Sequence, residues 1–456
     1  MIQFIKNLRT FLTIILLFSA VTPVFSYPIN YNGSLWEPES SETTHATLTH
    51  HKLPVNNEHY PEWNKTIGGT GSQTGVSVIE CRSGGYAIVG RGTGMGGRDA
   101  FLIRLDQDGA VLWNQTYGGD DSDGAGAVVE CSDGGFAITG GSSNFTTGDH
   151  TWLLRTDANG NQLWNYTYPV NNNDAFGTII ELSGGGFAVS GYTGSFGAGG
   201  TDVWLVFFDA LGQPVQNFTY GGADNDFASR MIGCQGGGFV IAGSTHSYGE
   251  GIRSLWLLRL NDNGELVWNR TYGGAGWDSL YDVIECHGGN LALAGTANST
   301  GVGTWDMILI LTDINGHELW SKTFGGIDRD GAYGLIQLAD LGFALGGWTY
   351  SFGAGSEDIW VVRTDQNGIQ IWNQTFGGSS YDECFDIAKT SDGGFILVGD
   401  TYNFGIPIDV WLLYFKDDSQ PFTPAIPLEV IVIAVIIILI IVIAGLILYQ
   451  RRRTAS

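Results

Sequence analysis

The chain is 456 residues long and carries 46 acidic against 21 basic side chains, a formal net charge of −25. Five of the basic residues sit in the two end segments, which leaves 16 between them against the acids, a charge near −30. A surface of that sign repels phosphate backbones and argues against nucleic-acid binding, while cations, cationic partners and neutral glycans remain compatible with it.

Residues 1–26 hold Lys6 and Arg9, an apolar run from Phe11 to Val21, and the small Ser26 after Val24-Phe25. This is the pattern of a secretory signal peptide, and the run is too short to span a bilayer. Residues 27–61 are polar, rich in Ser, Thr, His, Glu and Asn, and are expected to form a solvated N-terminal arm. His45, His50, His51 and His59 fall there, so a metal-binding tract is the other reading.

From residue 62 to 416 one phrase recurs seven times, at intervals of 50 to 52 residues. Its fullest copies read Trp-Asn-x-Thr-Tyr-Gly-Gly, four residues to an Asp, then Gly-Gly-Phe, a Gly-rich stretch, Asp-x-Trp-Leu and Asp-x-Asn-Gly. Trp63, Trp113, Trp164, Trp268, Trp320 and Trp372 mark six copies, and Gln216 stands in the other. A fixed period of this size means small units that bury their apolar faces only against one another.

Within one unit, residues 128–131, 136–140, 152–155 and 162–168 read as strands. Ser132-Asp133-Gly134-Gly135 and Asp157-Ala158-Asn159-Gly160 read as tight turns. Four short antiparallel strands at this period specify a propeller blade. The chain enters the repeat in a fourth strand, at Trp63, and leaves it after a third, Asp409-Val410-Trp411-Leu412-Leu413. Pairing the first with the last predicts an all-β, seven-bladed β-propeller of four-stranded antiparallel blades, closed by an N-terminal strand with no edge left open.

Residues 417–427 form a Pro-containing linker. Residues 428–449 contain an unbroken apolar stretch from Val430 to Leu448, long enough for one transmembrane helix. Arg451, Arg452 and Arg453 follow, so the positive-inside rule puts the 450–456 tail in the cytoplasm and the propeller outside. The expected protein is single-pass, at the cell membrane, with the membrane itself as one partner. Cys81, Cys131, Cys234 and Cys286 occupy one repeat position and point the same way round the ring. Sheets about 10 Å apart cannot bridge such positions, so free buried thiols are expected.

The run Trp-Asn-x-Thr-Tyr-Gly-Gly…Asp-Gly-Gly-Phe-Ala-Ile…Ser-Phe-Gly-Ala-Gly-Gly-Thr-Asp-Val-Trp-Leu resembles the seven-bladed β-propeller (SBBP-type) repeats of surface proteins in archaea and bacteria. The resemblance covers about residues 62–416 and implies the fold, with no common chemistry. The chain departs from the WD40 and kelch patterns. Gly160-Asn161-Gln162-Leu163-Trp164 shares its Gly-to-Trp spacing with the quinoprotein dehydrogenase blade motif, but Asp157 sits one residue too close and the Thr is absent. Neither a nucleophile–base pair nor metal-ligand spacing stands out.

Loops joining strands two to three and four to one share one face of a blade and are the long ones, so recognition is expected there. Ten residues after each Trp position stand Asp123, Asp174, Asp226, Asp278, Asp330 and Asp382, with Gln73 in the remaining unit. They are expected to ring the channel mouth, either binding a cation such as calcium or capping turns. Asp99, Asp202, Asp306, Asp358 and Asp409 end the other long loop. Residues that break the repeat on this face include Arg98, His150, His246, Arg253, Trp277, Trp305, Arg329 and Trp348. Exposed Trp beside His and Asp suits sugar stacking or a protein partner. Asn64, Asn114, Asn165, Asn217, Asn269 and Asn373 are glycosylation sequons sharing one outer-strand position. The expected function is a non-catalytic ligand-binding or adhesion module outside the cell, with no identified cofactor. The alternatives are a structural envelope component, or a surface hydrolase or quinoprotein-like oxidoreductase.

Overall fold

A computed structural model describes residues 59–417, apart from 70, 94–97, 120–121, 145–147, 169–173 and 403–407. The expected signal peptide, nearly all of the N-terminal arm and of the linker, the transmembrane helix and the tail lie outside the described residues. Among the described residues no helix is long and apolar enough to cross a membrane.

Among the described residues, twenty-eight strands form seven four-stranded antiparallel sheets. Blades 1 to 6 take consecutive strands over 73–117, 122–168, 175–220, 226–272, 278–324 and 330–376. Blade 7 is split, as the sequence predicts. Asp382–Lys389, Phe395–Thr401 and Asp409–Phe415 are completed by Trp63–Ile67, with Trp63 opposite Tyr414 and Ile67 opposite Val410. The first strand of each blade lines the axis, and Gln73–Glu80 packs on Asp382–Lys389 to shut the ring.

The strand patterns follow from this geometry. Second and third strands are covered on both faces by neighbouring blades, so Asp202–Phe208 and Phe395–Thr401 are buried end to end. Outer strands have one covered face and alternate, as in Leu266–Tyr272. Inner strands begin earlier than their apolar run suggests: the strand expected at 128–131 is Ser122–Glu130. The repeating polar residue belongs to the strand itself.

Two repeated contacts explain the repeated phrase. The outer-strand Trp of one blade lies on the hairpin Gly of the next. A Cβ on Gly160 would stand 2.7 Å from Trp113, and one on Gly316 2.8 Å from Trp268. Gly160 also sits at φ +78°, where a side chain is strained. Where Gln216 replaces Trp, Phe218 and Phe207 take up the space against Gly264. The Tyr of Thr-Tyr-Gly-Gly donates its hydroxyl to the same hairpin, Tyr117 to the Gly160 carbonyl at 2.7 Å and Tyr272 to that of Gly316 at 2.8 Å.

On the opposite, tight-turn face the last residue of an inner strand clasps the preceding blade. Glu80 accepts from Ser391 N–H and Oγ at 2.7 and 2.8 Å, and Glu181 does the same for Ser132. Arg155 and Arg363 stay within their blades, each bonding an acid of a tight turn. All five cysteines are free, and burial pushes the thiols of Cys81, Cys131 and Cys286 up to about 12, which leaves them as small apolar side chains.

Candidate functional site at the channel mouth

The repeating acids stand at or within one residue of the start of the inner strands on the long-loop face, at the mouth of the channel. Their oxygens are bonded to the loops around them. Asp226 accepts from Gly222 N–H at 2.8 Å and Ser247 Oγ at 2.7 Å. Asp278 accepts from Asn298 and Ser299 N–H and from Ser299 Oγ at 2.9, 3.1 and 2.5 Å. Asp330 is held by Gly326 N–H and Ser351 Oγ, Asp174 by Gly194 N–H and Ser195 Oγ. Asp123 and Asp382 each accept from the Gly-Gly backbone at 3.0 Å.

The second acid series stands beside the first. A Cβ on Gly221 would meet both Asp202 and Asp226, and one on Gly325 both Asp306 and Asp330, as at Gly118 and Gly377, so in these units the first Gly of Gly-Gly is the spacer between two carboxylates. Burial, and then the neighbouring acid, raises the carboxyls of Asp202, Asp306 and Asp358. Asp202, Asp306 and Asp358 also accept N–H bonds from their own loops. Among the described residues, no three His, Cys, Asp or Glu side chains converge as a metal site.

Six of the eight repeat-breaking residues gather on blades 4 to 6, while Arg98 and His150 lie apart on blades 1 and 2. Trp277 is 40% exposed and meets His246 edge-on, 5.6 Å between ring centroids. The strand-like bridges Arg253–Trp277 and Trp305–Arg329 bring those pairs side by side. Arg253 covers the Phe227 ring and donates to Ser244 at 2.8 Å. Trp348 is half-buried and packs against Tyr350.

Sequence reading missed two groups. The first lies on blades 6 and 7, where Glu383 and Asp400 are cross-strand partners and Glu357 is close by. Burial first, then Glu357 and Asp400, pushes Glu383 up to about 7, against a hydrogen bond from Tyr333. Asp400 rises to about 6, mainly through burial, although Thr74 donates to it at 3.2 Å. Tyr350 donates to Glu357 at 2.6 Å, and burial raises that carboxyl too.

The second group fills the channel below. Each inner strand carries a bulge, and the residues there are Val76, Gly126, Gly177 and Ser229 on blades 1 to 4 but Tyr281, Tyr333 and Phe385 on blades 5 to 7. The three rings pack in a row, with centroids 4.8 and 5.9 Å apart. One residue further on, Arg230 of blade 4 reaches Asp282 of blade 5 at 3.3 Å and Asp386 of blade 7 at 3.6 Å. Asp386 also takes the Ser77 hydroxyl and Val78 N–H of blade 1 at 2.9 and 3.0 Å. Burial lifts Asp282 to about 6 in spite of Arg230, with Asp386 adding to the rise. The mouth is therefore a cup with a polar and aromatic floor. The signal for both groups was a departure at one repeat position: Glu383 stands where other blades have Thr74, Gly124, Ala175, Phe227, Ser279 and Gly331.

The six sequon Asn side chains at the outer-strand position are on exposed residues. Two of them also accept from a buried Trp, Asn269 from Trp256 at 3.4 Å and Asn373 from Trp360 at 3.2 Å.

No protein-family model and no curated protein sequence matches this chain. Solved structures that resemble it include a puromycin hydrolase, at 14% identity and a TM-score of 0.46, over 72% of this chain and 50% of that one. The chain thus spans half the length of that enzyme. Sqt1 from Chaetomium thermophilum matches at 14% identity and a TM-score of 0.43, over 75% of this chain and 82% of that one. YCF48 bound to a D1 peptide matches at 12% and 0.42, over 80% of this chain and all of that one.

Proposed function

We propose that this protein is a non-catalytic ligand-binding propeller held at the cell surface, with its ligand taken at the long-loop mouth of the channel. Export through the 1–26 signal peptide and anchoring by the 428–449 helix are part of the reading, as is glycosylation of the outer-strand sequons. The observation that carries it is the distribution of irregular residues. Tight turns and clasps repeat from blade to blade on one face, while His246, Trp277, Trp305, Trp348, Glu357, Glu383 and Asp400 depart from the repeat on the other. Scaffold demands alone explain the first set and leave the second without a reason. In this reading the repeating acids set the loops, and any calcium would act through them.

The test is binding of the full chain in detergent micelles to immobilised proteins and glycans, with and without calcium. Ligands should be lost on substitution at Trp277 or Glu383 and kept on substitution at the turn residue Ala158. Loss from the Ala158 variant, with the mouth variants unaffected, would place recognition on the wrong face. Surface labelling of intact cells before and after removal of N-glycans checks location and sequon use together.

A further inference from the structure

We propose that the mouth over blades 5 to 7 is a saccharide subsite, in which Trp348 offers a ring face and Ser279, Thr296, Glu383 and Asp400 bond the ligand's hydroxyls. This names the ligand class of the surface proposed above and rests on that reading.

Ser279 and Thr296 are cross-strand partners, each 1% exposed, and neither hydroxyl has a hydrogen-bond partner among the described residues. The indole Nε1 of Trp348 is likewise buried and unbonded. Burying a polar group without a partner is destabilising, so three together in one region call for an occupant. They are neighbours: a Cβ on Gly331 would lie 2.5 Å from Thr296 Cγ2 and 2.8 Å from Trp348 Cζ2, so both pack on that bare backbone.

The ring continues into the acids. At this position a second-strand residue touches the inner strand of the next blade, as Tyr192 does Phe227, Thr296 does Gly331 and Asp400 does Thr74. The same register sets Trp348 beside Glu383. Neither Glu383 nor Asp400 makes an ion pair with another described residue. With its carboxyl near 7, Glu383 both donates and accepts at neutral pH, which suits hydroxyls. A metal or organic cation would leave the Trp348 indole N–H unpaired, because a cation has no lone pair to accept from it. Sugars combine an apolar ring face with groups that donate and accept, which matches a Trp ring flanked by acids and hydroxyls. The three unbonded atoms are covered in this structure, so entry requires the Trp348 indole to turn off Gly331.

The experiment screens the full chain in detergent against an array of neutral gluco-, manno- and galacto-configured oligosaccharides, then titrates the best binder by tryptophan fluorescence. Thr296→Val and Trp348→Phe should each weaken binding about tenfold or more, and Glu383→Gln with Asp400→Asn should weaken it further. Thr296→Val should melt no lower than the parent, because it removes an unbonded hydroxyl, so its effect on binding is separable from folding. Affinity unchanged in both single variants overturns the subsite. If the face binds polypeptide or spermine but no oligosaccharide, the ligand class is wrong and the wider reading stands. If mouth substitutions alter no binding of any kind, both fall.

Discussion

Trp63 stacks on Tyr414, with ring centroids 5.2 Å apart and planes 16° from parallel, and so joins the first strand of the ring to the last. The contact sits in a blade built from both ends of the repeat. Removing residues 60–68 would expose Asp409–Phe415 as an open edge and uncover Trp63 and Ile67's share of the core between blades 7 and 1. Full burial of such a side chain contributes roughly 1.5–3 kcal/mol, and these two, half-buried, contribute part of that each. The truncated chain is expected to lose its cooperative transition or to melt far below the parent in calorimetry. Equal melting would mean the ring does not depend on that strand.

The Trp-on-Gly contact gives a narrower test. Gly160→Ala places a methyl 2.7 Å from Trp113 at a φ of +78°. It should cost about 1–3 kcal/mol in urea titration, through strain and displaced packing. Gly184→Ala is the control, because nothing lies within 4 Å of the added carbon. It should stay within about 0.5 kcal/mol of the parent. Similar losses at both positions would show that the indole does not set the requirement.

These two cases mark what could be read from sequence. The blade number, the split blade and the tight turns at Ser132–Gly135 and Asp157–Gly160 follow from a phrase repeated seven times, because repetition averages away local noise. Single departures are harder. Arg230 and Asp386 are over 150 residues apart, and only closure of the ring puts them 3.6 Å from each other. Glu383 looks like any charged strand residue until the fold sets Asp400 opposite it and Glu357 nearby. The acids at Asp226, Asp278 and Asp330 were visible as a ring, while their bonds to Ser247, Ser299 and Ser351 depend on loop paths that no spacing specifies.

The raised carboxyls of Glu383 and Asp400, near 7 and 6, have a consequence for stability. In the unfolded chain both groups lose their protons near pH 4, so between about pH 4 and 7 the folded state holds more protons. Stability then falls as pH rises through that window. The two acids titrate as a pair, and their joint effect is on the order of 2 kcal/mol. The propeller should melt higher at pH 5 than at pH 7.5. Glu383→Gln with Asp400→Asn should flatten that dependence, and a steeper or unchanged slope would contradict the burial argument.

Arg230 holds two carboxylates across the channel, and its removal tests whether that network braces the ring. Arg230→Met would leave Asp282 and Asp386 facing each other with only N–H groups and the Ser77 hydroxyl as partners. Breaking a fully buried pair costs about 3–5 kcal/mol. Arg230 keeps 34% of its side chain open to the channel, which screens the interaction and brings the expected loss to roughly 1–3 kcal/mol. Part of that loss is the repulsion between the two acids, so Arg230→Met combined with Asp282→Asn should recover stability relative to the single variant at pH 7. If the double variant is instead less stable than the single one, Asp282 contributes through its bonds to Val283 and Leu335, and the cation is incidental to the brace.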